Sequence, residues 1–301
     1  MSSVIQKLVN LNLISPPSFL PTNVMYETMM GSVAYGVAED TSDIDIYGFC
    51  IPTKNIIFPH LDGEIMGFGK QKYRFDQFQA HHVQDPDNPK QYDLSIYNII
   101  KYFQLCMDNN PNMIDSLFTP HNCVLHLTKV GIIVRENRRI FLHKGSFHKL
   151  KGYYFSQISK VHTKNSPSKK RKELRDKYGV DTKYLYHAVR LLNEAEQILL
   201  TGDLDLQQNK EQLKAVRNGQ ITEEEVRKWG SDKEKQLEKL YIESNAVPMF
   251  PDEQKIYDLL LTCLEEHYGS LDKCVIRQDK ASAVLKEISE VIERNKKLWT
   301  V

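Results

Sequence analysis

The sequence predicts an α/β (α+β) protein in two parts, a small sheet-based unit followed by a helical one. Two short extended stretches, Val24 to Met30 and Asp43 to Ile51, bracket the small-residue turn Gly31-Ser32. The longest clean helical periodicity lies far downstream, at Asp181 to Thr201, and the chain stays helical in pattern from there on. Composition changes near Lys144, which divides the chain into residues 1–143 and 144–301.

Taken in order, residues 4 to 13 suit a short helix, and Pro16, Pro17 and Pro21 then break the chain. The first strand, 24 to 30, feeds directly into Gly31-Ser32. In the second strand Asp43 and Asp45 alternate with Ile44 and Ile46, so both carboxylates point to one face and both isoleucines to the other. Pro52 ends its pairing. Residues 53 to 90 read as irregular and polar, with a turn at Asp62-Gly63 and a hairpin expected around 64 to 77. Gln91 to Phe103 reads as the end of a strand passing into a helix. Ser95 is its expected N-cap, and Ile96, Ile99, Ile100, Phe103 and Cys106 form one apolar face. Asn109-Asn-Pro-Asn112 is a turn in which Pro111 opens a helix, with Ile114, Leu117 and Phe118 inward and Asp115 read as scaffold.

From 144 to 190 there are 13 Lys/Arg against 3 Asp/Glu, interleaved with Phe147, Tyr153, Tyr154, Phe155 and Tyr178. That mixture suits either a groove that tracks a phosphate backbone or a solvated helical face with a loop at 165 to 172. In the helix 181 to 201, Leu185, Ala188, Val189, Leu192, Ala195 and Leu199 form an apolar stripe, and Gly202 closes it. Lys183, His187, Arg190 and Glu194 recur on the roughly opposite face, where a polar helix ordinarily meets water. Thr222 to Glu225 is a capping box for a further helix. Pro248 and Pro251 precede a helix at 253 to 266. A last amphipathic helix, about 281 to 298, is expected to pack Val284, Leu285, Ile288, Val291 and Ile292 onto the helices before it.

The 301 residues are 41% apolar and 26% charged, as in a water-soluble globular protein, and the net charge of +1 neither favours nor excludes nucleic acid as a partner. Cys50, Cys106, Cys123, Cys263 and Cys274 have no metal-ligand spacing and read as reduced thiols. The N-terminus lacks a signal pattern, and no run of 18 apolar residues occurs. A cytoplasmic location, away from membranes, is the expectation.

The chemistry is concentrated in residues 31 to 48. Two carboxylates on one strand face, with no base between them, repel each other unless a cation intervenes. Mg²⁺, or Mn²⁺, suits such a pair, because hard cations bind through one or two carboxylates plus substrate phosphates. Gly31 and Ser32 add a backbone amide and a hydroxyl where phosphate oxygens can be held.

Gly31-Ser-Val-Ala-Tyr-Gly36 followed by Ser42-Asp-Ile-Asp-Ile-Tyr-Gly48 resembles the signature of the DNA polymerase beta-like nucleotidyltransferase superfamily. It is most similar to a branch of bacterial and phage predicted nucleotidyltransferases that includes RNA-repair-associated members. The resemblance runs from about residue 24 to about residue 250. It implies a small mixed-sheet nucleotidyltransferase core, with a helical domain closing the nucleotide cleft. It also implies a third carboxylate on a neighbouring strand, for which Asp93 is the candidate, with Asp76 and Asp85 as substitutes. Asp43, Asp45 and Asp93 would then be both catalytic and metal-binding. Lys183, three residues, His187, two residues, then Arg190-Leu191 resembles a stretch of the branch's helical domain. There Lys183, His187 and Arg190 would join Gly31 and Ser32 in binding the triphosphate. The implied reaction moves an NMP from an NTP to an acceptor hydroxyl, with an RNA or tRNA end favoured by the basic segment 144–190. The rival readings are transfer to a protein or small-molecule hydroxyl, and a catalytically degenerate nucleotide- or RNA-binding module of the toxin–antitoxin type.

Overall fold

The computed structural model describes residues 2–38, 42–62, 74–162, 169–271, 274 and 280–295. After helices α1 (Val4–Asn10) and α2 (Leu20–Asn23) the chain enters strand β1 (Val24–Met29), the one-turn helix α3 (Gly31–Ala34) and strand β2 (Ile44–Cys50). The short helix α4 (Lys54–Ile57) follows, then β3 (Gln77–Gln84) and β4 (Gln91–Asn98), helices α5 (Ile99–Met107) and α6 (Pro111–Phe118), strand β5 (Val124–Leu127) and helix α7 (Lys129–Glu136). The remaining helices are α8 (Gly145–Lys160), α9 (Lys169–Tyr178), α10 (Thr182–Thr201), α11 (Lys210–Arg217), α12 (Glu223–Glu243), α13 (Glu253–Tyr268) and α14 (Lys280–Asn295).

The five strands form one mixed sheet in the order β3-β4-β2-β1-β5. Among the described residues only β2 and β4 run parallel, and that pairing sits at the centre. Two cores cover the sheet. On one face Ile46, Leu94 and Ile96 are buried under Ile5 and Leu8 of α1. On the other, Tyr26 and Phe49 meet the helices, and this larger core continues without a break past residue 143 through Phe147, Leu185 and Leu192. Among the described residues no helix is long and apolar enough to cross a membrane.

Several local expectations meet a different outcome. The strand expected to end near residue 95 continues to Asn98, because Leu94 and Ile96 are buried beneath the sheet; Ser95 lies mid-strand, and Asn98 caps α5 by accepting from the Ile100 amide. Strand β3 occupies a stretch read as irregular: it is an edge strand whose side chains mostly meet solvent, so it shows no apolar alternation. The expected hairpin at 64 to 77 lies largely outside the described residues; of the expected loop at 165 to 172, residues 165–168 lie outside them, and 169–172 are not loop but the opening of helix α9. Val284, Leu285, Ile288, Val291 and Ile292 of α14 are exposed, Leu285 at 63%, and do not form the expected packing face. By contrast Thr222 and Glu225 form the reciprocal capping box, and Gly202 ends α10 at φ +64°.

One long-range contact anchors the first helix. Glu27, buried in the middle of β1, accepts from the Val4 and Ile5 amides at 2.6 and 3.1 Å, which caps α1 from a different element. Glu27→Ala strands both amides in an apolar setting and is expected to lower stability by about 2–3 kcal/mol in denaturant unfolding. Glu27→Gln, which keeps an accepting oxygen, is expected to lose less.

Candidate active site

The parallel register of β2 and β4 sets Asp45 directly beside Asp93. Partners across a parallel ladder share a face, and Asp43, just ahead of the strand, lies close enough for its charge to act on Asp45. The same face continues through Tyr47 and Ser95, which are hydrogen-bonded to each other. Burial pushes the Asp45 carboxyl above the usual carboxylate range; Lys183 pulls it back, while Asp93 and then Asp43 raise it further. Two further acids therefore act on Asp45 across this patch.

Asp93 is held by a feature that sequence reasoning missed. In β3, Ala80 pairs with Leu94 and Val83 with Tyr92, so a bulge leaves both His81 and His82 opposite Asp93. His82 takes a left-handed backbone, φ +55°, and its amide donates to Asp93 Oδ1 at 2.7 Å. The Nδ1 atoms of His81 and His82 lie 3.6 and 3.9 Å from the same oxygen. Adjacent histidines in an otherwise unremarkable polar stretch were the available signal. The substitutes considered for Asp93 lie elsewhere: Asp85 is buried in an ion pair with Lys7, and the Asp76 carbonyl accepts from Asn98 at the far end of β4.

The turn is fitted to the acids. The Met30 amide donates to the Asp45 carbonyl at 2.7 Å, and Gly31 follows with φ +63°. A Cβ on Gly31 would stand 2.2 Å from Asp45 Oδ2, so that carboxylate rests against the glycine. Glycine is required there for backbone and for space. Ser32, half-buried, is the next residue of α3.

The facing wall comes from α9, α10 and α11. Lys183, in the first turn of α10, is close enough for its charge to act on Asp45; its own pKa is lowered by burial and by Arg171, against a pull from Asp45. Arg217 acts on Lys183 as well, and its Nη1 donates to the Val37 carbonyl at 2.9 Å. Arg171 donates to Asp181 at 2.9 Å and lies over the Tyr184 ring. Neither arginine was singled out in the sequence; Arg217 in particular carries no local signal, since only the fold brings α11 to this wall.

The other two residues of the expected phosphate-binding face sit differently. The face is not solvated: Arg190 and Glu194 are buried, because α8 and the sheet-side helices enclose α10 on more than its apolar stripe. Arg190 pairs with Asp115 and with Glu194 and stacks on the Tyr35 ring, while Tyr35 donates to Asp115 at 2.7 Å. Burial, followed by the fields of Arg190 and Lys183, holds His187 well below its usual pKa, so it is neutral near pH 7; its ring packs on Tyr186. Asp115 belongs to this buried seam. Much of the basic segment is also engaged internally: Lys144 is buried over Tyr241, and Lys151 pairs with Glu234 and Glu238. Tyr153 and Phe155 of α8 remain exposed.

Among the described residues no three His, Cys, Asp or Glu side chains close into a preformed metal cage. The oxygen donors of Asp43, Asp45 and Asp93 nonetheless fit a hard divalent ion, which takes one or two carboxylates and completes its shell with water and substrate phosphate. The mutual repulsion at Asp45 is what such an ion relieves.

A central sheet that carries paired aspartates beside a glycine–serine turn, with helices closing over them, defines a polymerase-beta-like nucleotidyltransferase. Residues 6–260 match the RNA repair pathway DNA polymerase beta family, and the chain belongs to that family. It is also similar to a solved nucleotidyltransferase-like protein from Exiguobacterium sibiricum 255-15, at 12% identity over 87% of this chain and 72% of that chain, with a TM-score of 0.28. No curated protein matches the chain.

Because the folded state raises the Asp45 pKa, it binds that proton more tightly than the unfolded chain does. Stability from this group is present in acid and is lost as pH rises through the folded pKa. Asp45→Asn removes the ionised group and is expected to raise the thermal midpoint of metal-free protein at neutral pH, with the gain vanishing in acid. Mg²⁺ or Mn²⁺ should raise the midpoint of the unsubstituted protein and leave that of Asp45→Asn nearly unmoved. Differential scanning fluorimetry with and without chelator checks both.

Proposed function

We propose that this protein transfers a nucleoside monophosphate from an NTP to an acceptor hydroxyl on an RNA end, tRNA being the first candidate, and releases pyrophosphate. The observation that carries the reading is the pairing of Asp45 with Asp93 on adjacent parallel strands, opposite Lys183. A binding module has no use for like charges placed side by side. In this reading residues 1–143 carry the chemistry and 144–301 close the cleft.

Mg²⁺ or Mn²⁺, held by Asp43, Asp45 and Asp93, would supply charge neutralisation for the transferred phosphoryl group and the attacking oxygen. The Gly31 amide and Ser32 hydroxyl bind the terminal phosphates. Lys183, with Arg171 and Arg217 behind it, offsets the charge that gathers on the leaving pyrophosphate. Asp93, oriented by the His82 amide, receives the proton of the acceptor hydroxyl. Arg190 contributes by position: through Tyr35 it fixes the chain just after the Gly31-Ser32 turn. His187, neutral, packs on Tyr186 and offers no charge to the phosphates. Little covalent help from side chains is needed, so positioning and electrostatics supply most of the rate.

An RNA acceptor is supported by the description of the family and by the exposed aromatics of α8, which offer faces on which unpaired bases can stack.

The test is incubation with each α-labelled NTP, Mg²⁺ or Mn²⁺, and total tRNA. Label in RNA is expected, and its loss by roughly 10³-fold or more in Asp45→Ala. Label in the protein alone would redirect the reading to protein modification, and absence of label despite tight RNA binding would redirect it to a binding module. Lys183→Ala is expected to raise the KM for NTP about tenfold, the scale of one lost charge-assisted contact. RNA affinity should fall steeply with salt, because phosphate contacts release counterions.

A further inference from the structure

Arg135, in the last turn of α7, and Arg138, just beyond it, are held close together. Arg135 is buried and donates to Tyr26 Oη, Thr119 Oγ1 and the Thr119 carbonyl at 2.6, 3.1 and 2.8 Å. Arg138 donates from Nη1 to the Arg135 carbonyl at 2.8 Å and lies over the Phe118 ring, while its Nε is buried without a partner. All of these partners are neutral. Among the described residues neither guanidinium pairs with a carboxylate, and the nearby Asp203 pairs with Arg139. Burial lowers the pKa of Arg138; Asp203 opposes this, and Arg135 and Arg139 lower it further. Two adjacent cations therefore sit without a counter-ion in contact, which is costly where water is partly excluded.

Both arginines line an open cavity of about 450 Å³ beside the connection from α6 to β5. Exposed His121 lines it too, and Leu127 and Ile132 give it an apolar wall. Two acids, Glu136 and Asp205, also belong to the lining, but both are exposed and neither pairs with Arg135 or Arg138. None of the lining side chains is one that the Asp45, Asp93 and Lys183 cleft uses.

Guanidinium forks suit phosphate oxygens. Two uncompensated positive charges match a phosphate monoester, which carries about −1.5 to −2 at pH 7, better than a diester, which carries one. The volume lies within the range of small-molecule sites, roughly 300–1,000 Å³, so there is room beside the charges for a ring system. We propose that this cavity binds a nucleotide by its terminal phosphate, with Arg138 meeting the phosphate, Arg135 adding its field, and Leu127 and Ile132 covering the nucleoside. A free mononucleotide and a phosphorylated RNA end offer the same chemistry.

The experiment is calorimetric titration of the full chain, without NTP or divalent metal, using AMP, adenosine, and a short RNA with either a 5′-phosphate or a 5′-hydroxyl. AMP is expected to bind about tenfold or more tightly than adenosine, the scale of a hydrogen-bonded charge. The phosphorylated RNA should exceed its hydroxyl counterpart likewise. Arg138→Gln should remove the preference for phosphate, and Lys183→Ala should keep it. Ile132 is 41% exposed, so Ile132→Glu sets a like charge against the phosphate without disturbing the core; it should weaken AMP similarly, and it decides if Arg138→Gln does not fold. Phosphorylated RNA bound about tenfold more tightly than AMP would identify an RNA end as the ligand, and equal affinity a free nucleotide; both support the site. Absence of any preference for phosphate would overturn the proposal and leave the arginines as frame. A preference that the deciding variant retains in full, or that Lys183→Ala abolishes, would overturn it too, by placing the phosphate elsewhere. Neither NTP nor metal is present, so the outcome is independent of the transferase reading.

Discussion

Two carboxylates held side by side on neighbouring parallel strands are an unfavourable arrangement for a folded protein without ligand, and the surrounding structure is what maintains it. The backs of the same strands supply the restraint: Ile46 and Leu94, one residue after Asp45 and Asp93, are fully buried under α1. A register slip of one residue would turn the acids into that core and the apolar side chains into the cleft. The repulsion on one face is therefore outweighed by burial on the other. The bulge in β3 adds a directed amide at Asp93, and the left-handed Gly31 lets the backbone pass against Asp45.

The helical half is tied to the stretch that leaves the turn. Tyr35 is clamped by Asp115 and Arg190, the Ala34 carbonyl accepts from Gln207, and the Val37 carbonyl accepts from Arg217. These contacts come from elements far apart in the chain and converge within four residues. Their effect is that the turn's exit is fixed by α6, α10 and the segment leading into and through α11, so the position of Gly31-Ser32 relative to the acids depends on packing of the whole molecule. Arg190 illustrates the difference between a charge that meets ligand and a charge that builds the frame.

What could be read in advance was whatever had a local cause. Asp43 and Asp45 alternate with isoleucines over a few residues, and α10 carries both its Asp181 cap and its Gly202 stop within one continuous pattern. Features with distant causes were not legible. Arg190 and Glu194 fall at the spacing of an exposed polar face, and only the enclosure of α10 by other elements makes them a buried ion pair. Strand β3 lacks apolar alternation because it is an edge. Asn98, not Ser95, caps α5 because tertiary burial of Leu94 and Ile96 prolongs the strand. The Glu27 cap on α1 joins residues more than twenty positions apart, and no short-range signal encodes it.

The near-zero net charge of the chain conceals a strong separation of charge at the cleft. Asp43, Asp45 and Asp93 line one wall; Lys183, with Arg171 and Arg217 acting on it, lines the other. Burial is the leading cause of both shifts, raising Asp45 and lowering Lys183, and the attraction between the two groups opposes each. A ligand that presents cations to the acidic wall and anions to the basic wall matches this separation. A metal-bound triphosphate has that polarity, whereas a bare polyanion would be attracted to one wall and repelled by the other.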